Sequence, residues 1–170
     1  MDKRPVWAAM ISIALASFPA YKGLAAETPI VAGWIENGWV HDPAMTFNAK
    51  LDTGAKTTSI HAPDAEILRK NGKRFAKFTL KTRMGRTMAL ELPVVRIASI
   101  KNLTGPSIKR AVVRIRLCVA GEIGEVEVNL SSRSEFNNRL LVGRTFLADR
   151  ILVDSSRTRM HPGKCRTTPK

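Results

Sequence analysis

Histidine and cysteine are scarce: His41, His61 and His161 are the only imidazoles and Cys118 and Cys165 the only thiols, with no His-Glu-x-x-His and no Cys-x-x-Cys pair. No catalytic or structural zinc site is therefore spelled out, and the expected metal and cofactor content is none. A Gly-rich phosphate loop and a Gly-x-Ser-x-Gly elbow are both missing, which removes ATP chemistry and a serine nucleophile from consideration. Aromatic residues make up 6% of the chain, too few stacking platforms for single strands, so no nucleic-acid partner is expected. Long apolar runs are absent as well. The run Val6 to Phe18 is 13 residues, short of the roughly 20 that a membrane-crossing helix needs. Acidic side chains number 14 against 28 Lys and Arg, a net charge of +14. That surplus fits contact with an anionic polymer or surface, or simply a solvated basic face, and the second reading is preferred.

The short apolar run has a context. Lys3 and Arg4 precede it, and Gly23, Ala25 and Ala26 follow before Glu27, the layout of a secretory signal peptide over residues 1–26. Cleavage near Ala26 would leave a periplasmic or secreted protein of bacterial type; an uncleaved anchor is the alternative, since the Ala-x-Ala pattern is imperfect. One domain over 27–154 and a basic Pro-, Gly- and Thr-bearing tail over 155–170 complete the expected organisation. Export would put Cys118 and Cys165 where a disulfide can persist, and the sequence leaves their pairing open.

Beyond the leader the chain reads as strands. Asn37-Gly38 between Val31–Glu36 and Trp39–His41 signals a hairpin. Met45, Phe47, Ala49 and Leu51 alternate with polar residues and lead to Asp52 at a strand end. Ala62 to Lys70 reads as one or two helical turns, with Pro63 at the start and Asn71-Gly72 as the stop. A second hairpin turns at Met84-Gly85-Arg86, its outer strand limited by Pro93. After Gly105-Pro106, Ala111, Val113, Ile115, Leu117 and Val119 line one strand face and Arg110, Arg114 and Arg116 the other. The next strand carries Val126, Val128 and Leu130, with Glu125 and Glu127 able to pair across with those arginines. Leu140-Leu141-Val142 is a short buried run, followed by a single helical turn at Thr145–Asp149 and a strand at Ile151–Val153. Many short strands, Gly-centred turns and little helix indicate an all-β barrel or sandwich.

Chemistry concentrates at Asp52-Thr53-Gly54-Ala55. Asp and Gly are also common turn residues, so the motif needs a second landmark. Leu141-Val142-Gly143-Arg144 before Thr145-Phe146-Leu147 provides one. Together these resemble the active-site signature of aspartic proteases, the Gly-Arg form being that of retropepsins. The closer resemblance is to the bacterial retropepsin-like family once labelled ATP-dependent zinc proteases and often encoded beside ATP-grasp ligases of the RimK type. It covers roughly Gly33 to Asp154 and includes Ala49–Ala55, Thr58-Ser59-Ile60-His61-Ala62 and Leu130-Ser131-Ser132-Arg133.

The resemblance implies an all-β, retropepsin-like closed or partly closed β-barrel with one short helix near the C-terminus. It also implies an aspartic endopeptidase acting on peptide or protein substrates. Water-mediated amide hydrolysis needs a base for the water and an acid for the leaving group, and two carboxyls sharing one proton supply both. The chain holds a single Asp-Thr-Gly, so the second carboxyl would come from another copy, in a homodimer that sets Asp52 against Asp52. Thr53 would bond across the dimer, Gly54 would bring a backbone N–H to the carboxylate, and Ala55 would keep the floor small. Gly143 and Arg144 would support the site, Arg144 by anchoring the dimer or touching substrate. His61 is a candidate substrate contact or a partly buried strand-end histidine. Two alternatives stand beside this: a catalytically silent module that binds peptide or acidic polymer, and an enzyme that cleaves isopeptide or polyglutamate links.

Overall fold

The computed structural model describes residues 28–100, 105–163 and 165, and of residues 42–44 the backbone alone. The expected leader at 1–26 lies outside the described residues. Among the described residues ten strands and one short helix follow one another: β1 (Ile30–Val40), β2 (Asp42–Leu51), β3 (Thr58–His61), β4 (Glu66–Lys70), β5 (Lys73–Lys81), β6 (Thr87–Ile100), β7 (Ile108–Val119), β8 (Glu122–Ser131), β9 (Leu140–Val142), α1 (Arg144–Leu147) and β10 (Ile151–Thr158). The all-β expectation with one short helix near the C-terminus holds. Spatial order is β10-β1-β2-β9-β3-β8-β7-β6-β5-β4, and a further β1–β7 pairing over Gly38–Val40 draws the middle strands into a partial ring.

Alternation builds the core as the sequence suggests. Met45, Phe47, Ala49 and Leu51 of β2 are buried, as are Ala111, Val113, Ile115, Leu117 and Val119 of β7 and Val126, Val128 and Leu130 of β8. Arg114 lies opposite Glu127 and Arg116 opposite Glu125, while the ion pair that Glu127 closes is with Arg96 of β6, at 2.9 Å.

Neither Asn-Gly pair has the role expected of it. Asn37-Gly38 lies inside β1, paired with Asn48 and Phe47 of β2, and the chain turns instead at His41, whose φ is 66°. A Cβ on Gly38 would stand 2.7 Å from the Cys118 carbonyl oxygen, so this glycine permits close approach of β7 rather than a turn. Asn71-Gly72 is the hairpin turn, with φ of 49° and 74°, the left-handed pair that tight two-residue hairpins require. The segment before it is accordingly strand β4 and not the expected helix, because Glu66–Lys70 pairs residue by residue with β5.

β6 also runs through Pro93. Pairing with β5 ends at Pro93 and pairing with β7 begins at Val94, so the missing N–H falls where the strand changes partner. The C-terminal helix spans Arg144–Leu147 instead of Thr145–Asp149. β10 extends to Thr158, beyond the expected Ile151–Val153, because it continues as a parallel neighbour of β1. The chain after it is held by two devices. Glu36, fully buried, accepts N–H bonds from Gly33 (2.8 Å), Met160 (3.0 Å) and His161 (3.1 Å). Cys118 and Cys165 form a disulfide with their Cα atoms 6.0 Å apart.

Candidate active site

β2 delivers Asp52 just past its last buried residue, and the Asp52 N–H donates to the Val142 carbonyl of β9 at 2.9 Å. The chain then folds back on its own carboxylate. Asp52 Oδ1 accepts from the Gly54 N–H at 3.0 Å and the Ala55 N–H at 3.2 Å. A Cβ on Gly54 would sit 3.2 Å from that same oxygen, which crowds the approach a carboxylate needs. Oδ2 lies 3.5 Å from Lys50 Nζ, and the Asp52 side chain is 25% exposed. Such a partly solvated ion pair contributes little to stability. The result is a carboxylate fixed by backbone N–H groups at one oxygen and facing only a partly exposed cation at the other.

The second landmark packs beneath the first. A Cβ on Gly143 would fall 2.6 Å from the backbone carbon and oxygen of Thr57, so only glycine lets the two segments touch. The Gly143 N–H donates to Thr58 Oγ1 at 3.2 Å, the Arg144 N–H to the Ala55 carbonyl at 2.8 Å, and the Thr145 N–H to the Lys56 carbonyl at 3.1 Å. Arg144 Nη1 reaches the carbonyls of Thr53 (2.8 Å) and Gly54 (3.0 Å). Asn129 of β8 supports the same floor, its Nδ2 donating to Thr57 Oγ1 at 2.8 Å. Asp52, Thr53, Gly54, Ala55, Gly143 and Arg144 thus form one cluster. The Thr53 side chain is exposed, and Arg144 bonds to the carbonyls of its own chain's loop.

His61 belongs to a neighbouring network that the sequence does not announce. Its Nδ1 accepts the Arg133 N–H at 2.9 Å. Arg133 is only 8% exposed. Its Nη1 donates to Ser59 Oγ at 3.0 Å, its Nε to the Asn138 carbonyl at 3.1 Å, and its guanidinium lies 4.7 Å from the centroid of the Phe136 ring. Burial lowers the Arg133 pKa most and Arg110 lowers it further, while Asp52 opposes both. Burial also lowers the His61 pKa, with Arg139 and Arg133 adding to the fall and Asp64 opposing it. A neutral His61 with an acceptor at Nδ1 is what the hydrogen bond requires. Arg133 is one of two cations between β8 and β9, with Arg139, and nothing in the spacing singles it out; Ser59, Asn138 and Phe136 are brought to its guanidinium by the fold.

Among the described residues no second carboxylate contacts Asp52, and no group of three His, Cys, Asp or Glu side chains could hold a metal ion.

Residues 31–164 match the family described as RimB-like, retropepsin-like aspartic endopeptidase RimB. Proteins named probable alpha-L-glutamate ligase are 32% identical over 122 residues in Desulfotalea psychrophila and 33% identical over 124 residues in Shewanella pealeana. The aligned parts cover 68% and 69% of this chain but 26% and 27% of those proteins, so the chain spans about a quarter of their length. A crystal structure of a Legionella pneumophila protein of unknown function superposes with a TM-score of 0.66 at 32% identity, covering 76% of this chain and 96% of that one.

Proposed function

Because the chain belongs to the RimB-like family of retropepsin-like proteins, we propose that it is an exported aspartic endopeptidase whose site is completed by a second copy. The observation that carries this reading is the partly exposed Asp52 carboxylate, held at one oxygen by the Gly54 and Ala55 N–H groups and lying 3.5 Å from Lys50 Nζ at the other. One such carboxylate per chain supplies half of the machinery. With two related by a dimer axis, the ionised member takes a proton from water as its oxygen attacks the peptide carbonyl carbon. The protonated member then gives its proton to the leaving nitrogen as the C–N bond breaks. Gly54 and Ala55 fix the carboxylate orientation, and Arg144 holds the carbonyls of the loop. The Cys118–Cys165 disulfide supports an oxidising location.

A second substrate reading is favoured by Lys50 and Arg133 near Asp52 and by relatives named glutamate ligases. In it the bonds cleaved join glutamate residues, and the two cations attract the acidic chain.

The test is a mixing experiment on a peptide library. Adding Asp52→Asn protein in excess to wild type should suppress hydrolysis through inactive mixed dimers. Hydrolysis that stays constant under a tenfold excess of the variant, with subunit exchange shown separately, would contradict a shared site.

A further inference from the structure

Peptide hydrolysis by two carboxyls leaves one charge unattended between its two steps. When the attacking water gives its proton to an ionised Asp52, that carboxyl becomes neutral. The electron pair of the peptide C=O bond moves onto the carbonyl oxygen, which carries the negative charge until the C–N bond breaks. An oxyanion of this kind is stabilised by a donor already in place. The loop's own donors are committed, since the Gly54 and Ala55 N–H groups hold Asp52 Oδ1. Lys50 is the cation in reach. It stands two positions before Asp52, so both side chains leave the same face of the strand line, and its Nζ lies 3.5 Å from Asp52 Oδ2. That distance is longer than a close hydrogen bond, so the ammonium is not locked to the carboxylate. The Lys50 side chain is 42% exposed and lines a space of about 260 Å³ together with Trp34, Arg133, Phe136, Asn137 and Asn138. Of the other donors there, Arg133, Asn137 and Asn138 make no hydrogen bond or ion pair with Asp52, and the Arg133 guanidinium is turned to Ser59, Asn138 and the Phe136 ring.

We propose that Lys50 is a further catalytic residue, whose ammonium stabilises the oxyanion of the tetrahedral species. The proposal rests on the peptidase reading and adds a group to its machinery. Before attack the ammonium faces the ionised carboxylate of its own copy. As the water proton passes to that carboxylate, the negative charge leaves Asp52 for the carbonyl oxygen, and the cation follows it on a flexible four-carbon stem. The oxyanion's electron pair then re-forms the C=O bond, the C–N bond breaks, and the nitrogen takes the proton of the partner carboxyl. Lys50 keeps its own protons throughout. Attraction of an acidic substrate by Lys50 would act equally before and after attack, and so would appear in KM and not in kcat.

The experiment compares wild type, Lys50→Met, Lys50→Gln and Lys50→Arg on one peptide that wild type cleaves, and on two uncleavable analogues of it. One analogue carries a phosphinate in place of the scissile amide, a tetrahedral centre with an anionic oxygen; the other carries a neutral secondary alcohol there. Lys50→Met and Lys50→Gln should each lower kcat by about a hundredfold, the loss of one oxyanion donor, with KM within about twofold of wild type. Both should weaken phosphinate binding by a similar factor and leave the alcohol nearly as tight. Lys50→Arg should recover part of each loss. Circular dichroism checks that the variants fold, and the two neutral replacements keep a folding defect in one from deciding the result. An unchanged kcat, a change confined to KM, or equal weakening of the two analogues would overturn the proposal, the last because a merely structural Lys50 would disturb both. Hydrolysis of no library peptide by wild type would remove the peptidase reading and this role with it; hydrolysis that the Lys50 variants leave unchanged would remove the role alone.

Discussion

Arg144 Nη1 donates to the carbonyls of Thr53 at 2.8 Å and Gly54 at 3.0 Å, so the Gly-Arg segment clamps the loop that carries the candidate catalytic carboxylate. These residues are about ninety positions apart in the chain. Gly143 makes the contact sterically possible, and Arg144 fixes it. One charged nitrogen bonded to two adjacent carbonyls sets the direction of the Gly54 N–H, which in turn holds Asp52 Oδ1.

Arg144→Ala should therefore lower turnover at least about tenfold, since small misplacement of a reacting group is expensive. The thermal midpoint should change little, because Arg144 is exposed. Arg144→Lys should recover only part of the rate, as the shorter and more strongly hydrated ammonium reaches the two carbonyls less well than Nη1 does. Steady-state kinetics beside a thermal melt of each variant checks both halves. A large fall in melting temperature with normal turnover would assign Arg144 to folding alone.

The landmarks of the site were legible because they are local. A strand that alternates into Asp-Thr-Gly-Ala, and an apolar pair before Gly-Arg, can be read without knowing what lies opposite. The two Asn-Gly pairs were not distinguishable in that way. Asn71-Gly72 needs its left-handed conformation and Gly38 needs its lack of a Cβ, and only the position of β7 separates the two uses. Ala62–Lys70 departs from its helical expectation for a related reason: pairing of Glu66–Lys70 with β5 decides its conformation over any short-range preference. Arg133 escaped because its partners come from β3, from Asn138 and from Phe136, which no spacing rule connects.

His61 predicts a dependence of stability on pH. Burial and the cations Arg139 and Arg133 hold its folded pKa below the ordinary value, against the pull of Asp64. The folded state therefore binds fewer protons at this site than the unfolded chain does. The contribution is fully present above the unfolded value of about 6.5 and is lost as pH falls from there through the depressed folded value. Unfolding free energy should decline over that window, and the slope should shrink in His61→Gln. An NMR titration placing the His61 midpoint above that of a free histidine would contradict this.

The disulfide should matter more to stability than to chemistry. Cys118 and Cys165 are 47 positions apart, and a bridge of that span restricts the unfolded chain by about 2–4 kcal/mol. Cys165→Ser should lose that amount in denaturant unfolding. The two N–H bonds from Met160 and His161 to Glu36 should still hold the segment against β1, so amide exchange there should remain slow. Rapid exchange at Met160 and His161 in the variant would show that the bridge, not Glu36, retains the segment.

The central claim is that Asp52 performs chemistry, and turnover by purified Asp52→Asn tests it most directly. The amide keeps the side chain's size and one oxygen to accept from the Gly54 and Ala55 N–H groups, so fold and assembly should persist by circular dichroism and ultracentrifugation. It cannot take a proton from water, so hydrolysis of whichever library peptides wild type cleaves should fall to background, on the order of a thousandfold or more. A correctly folded Asp52→Asn protein that keeps more than a few per cent of the wild-type rate would contradict the account and leave Asp52 as a turn residue.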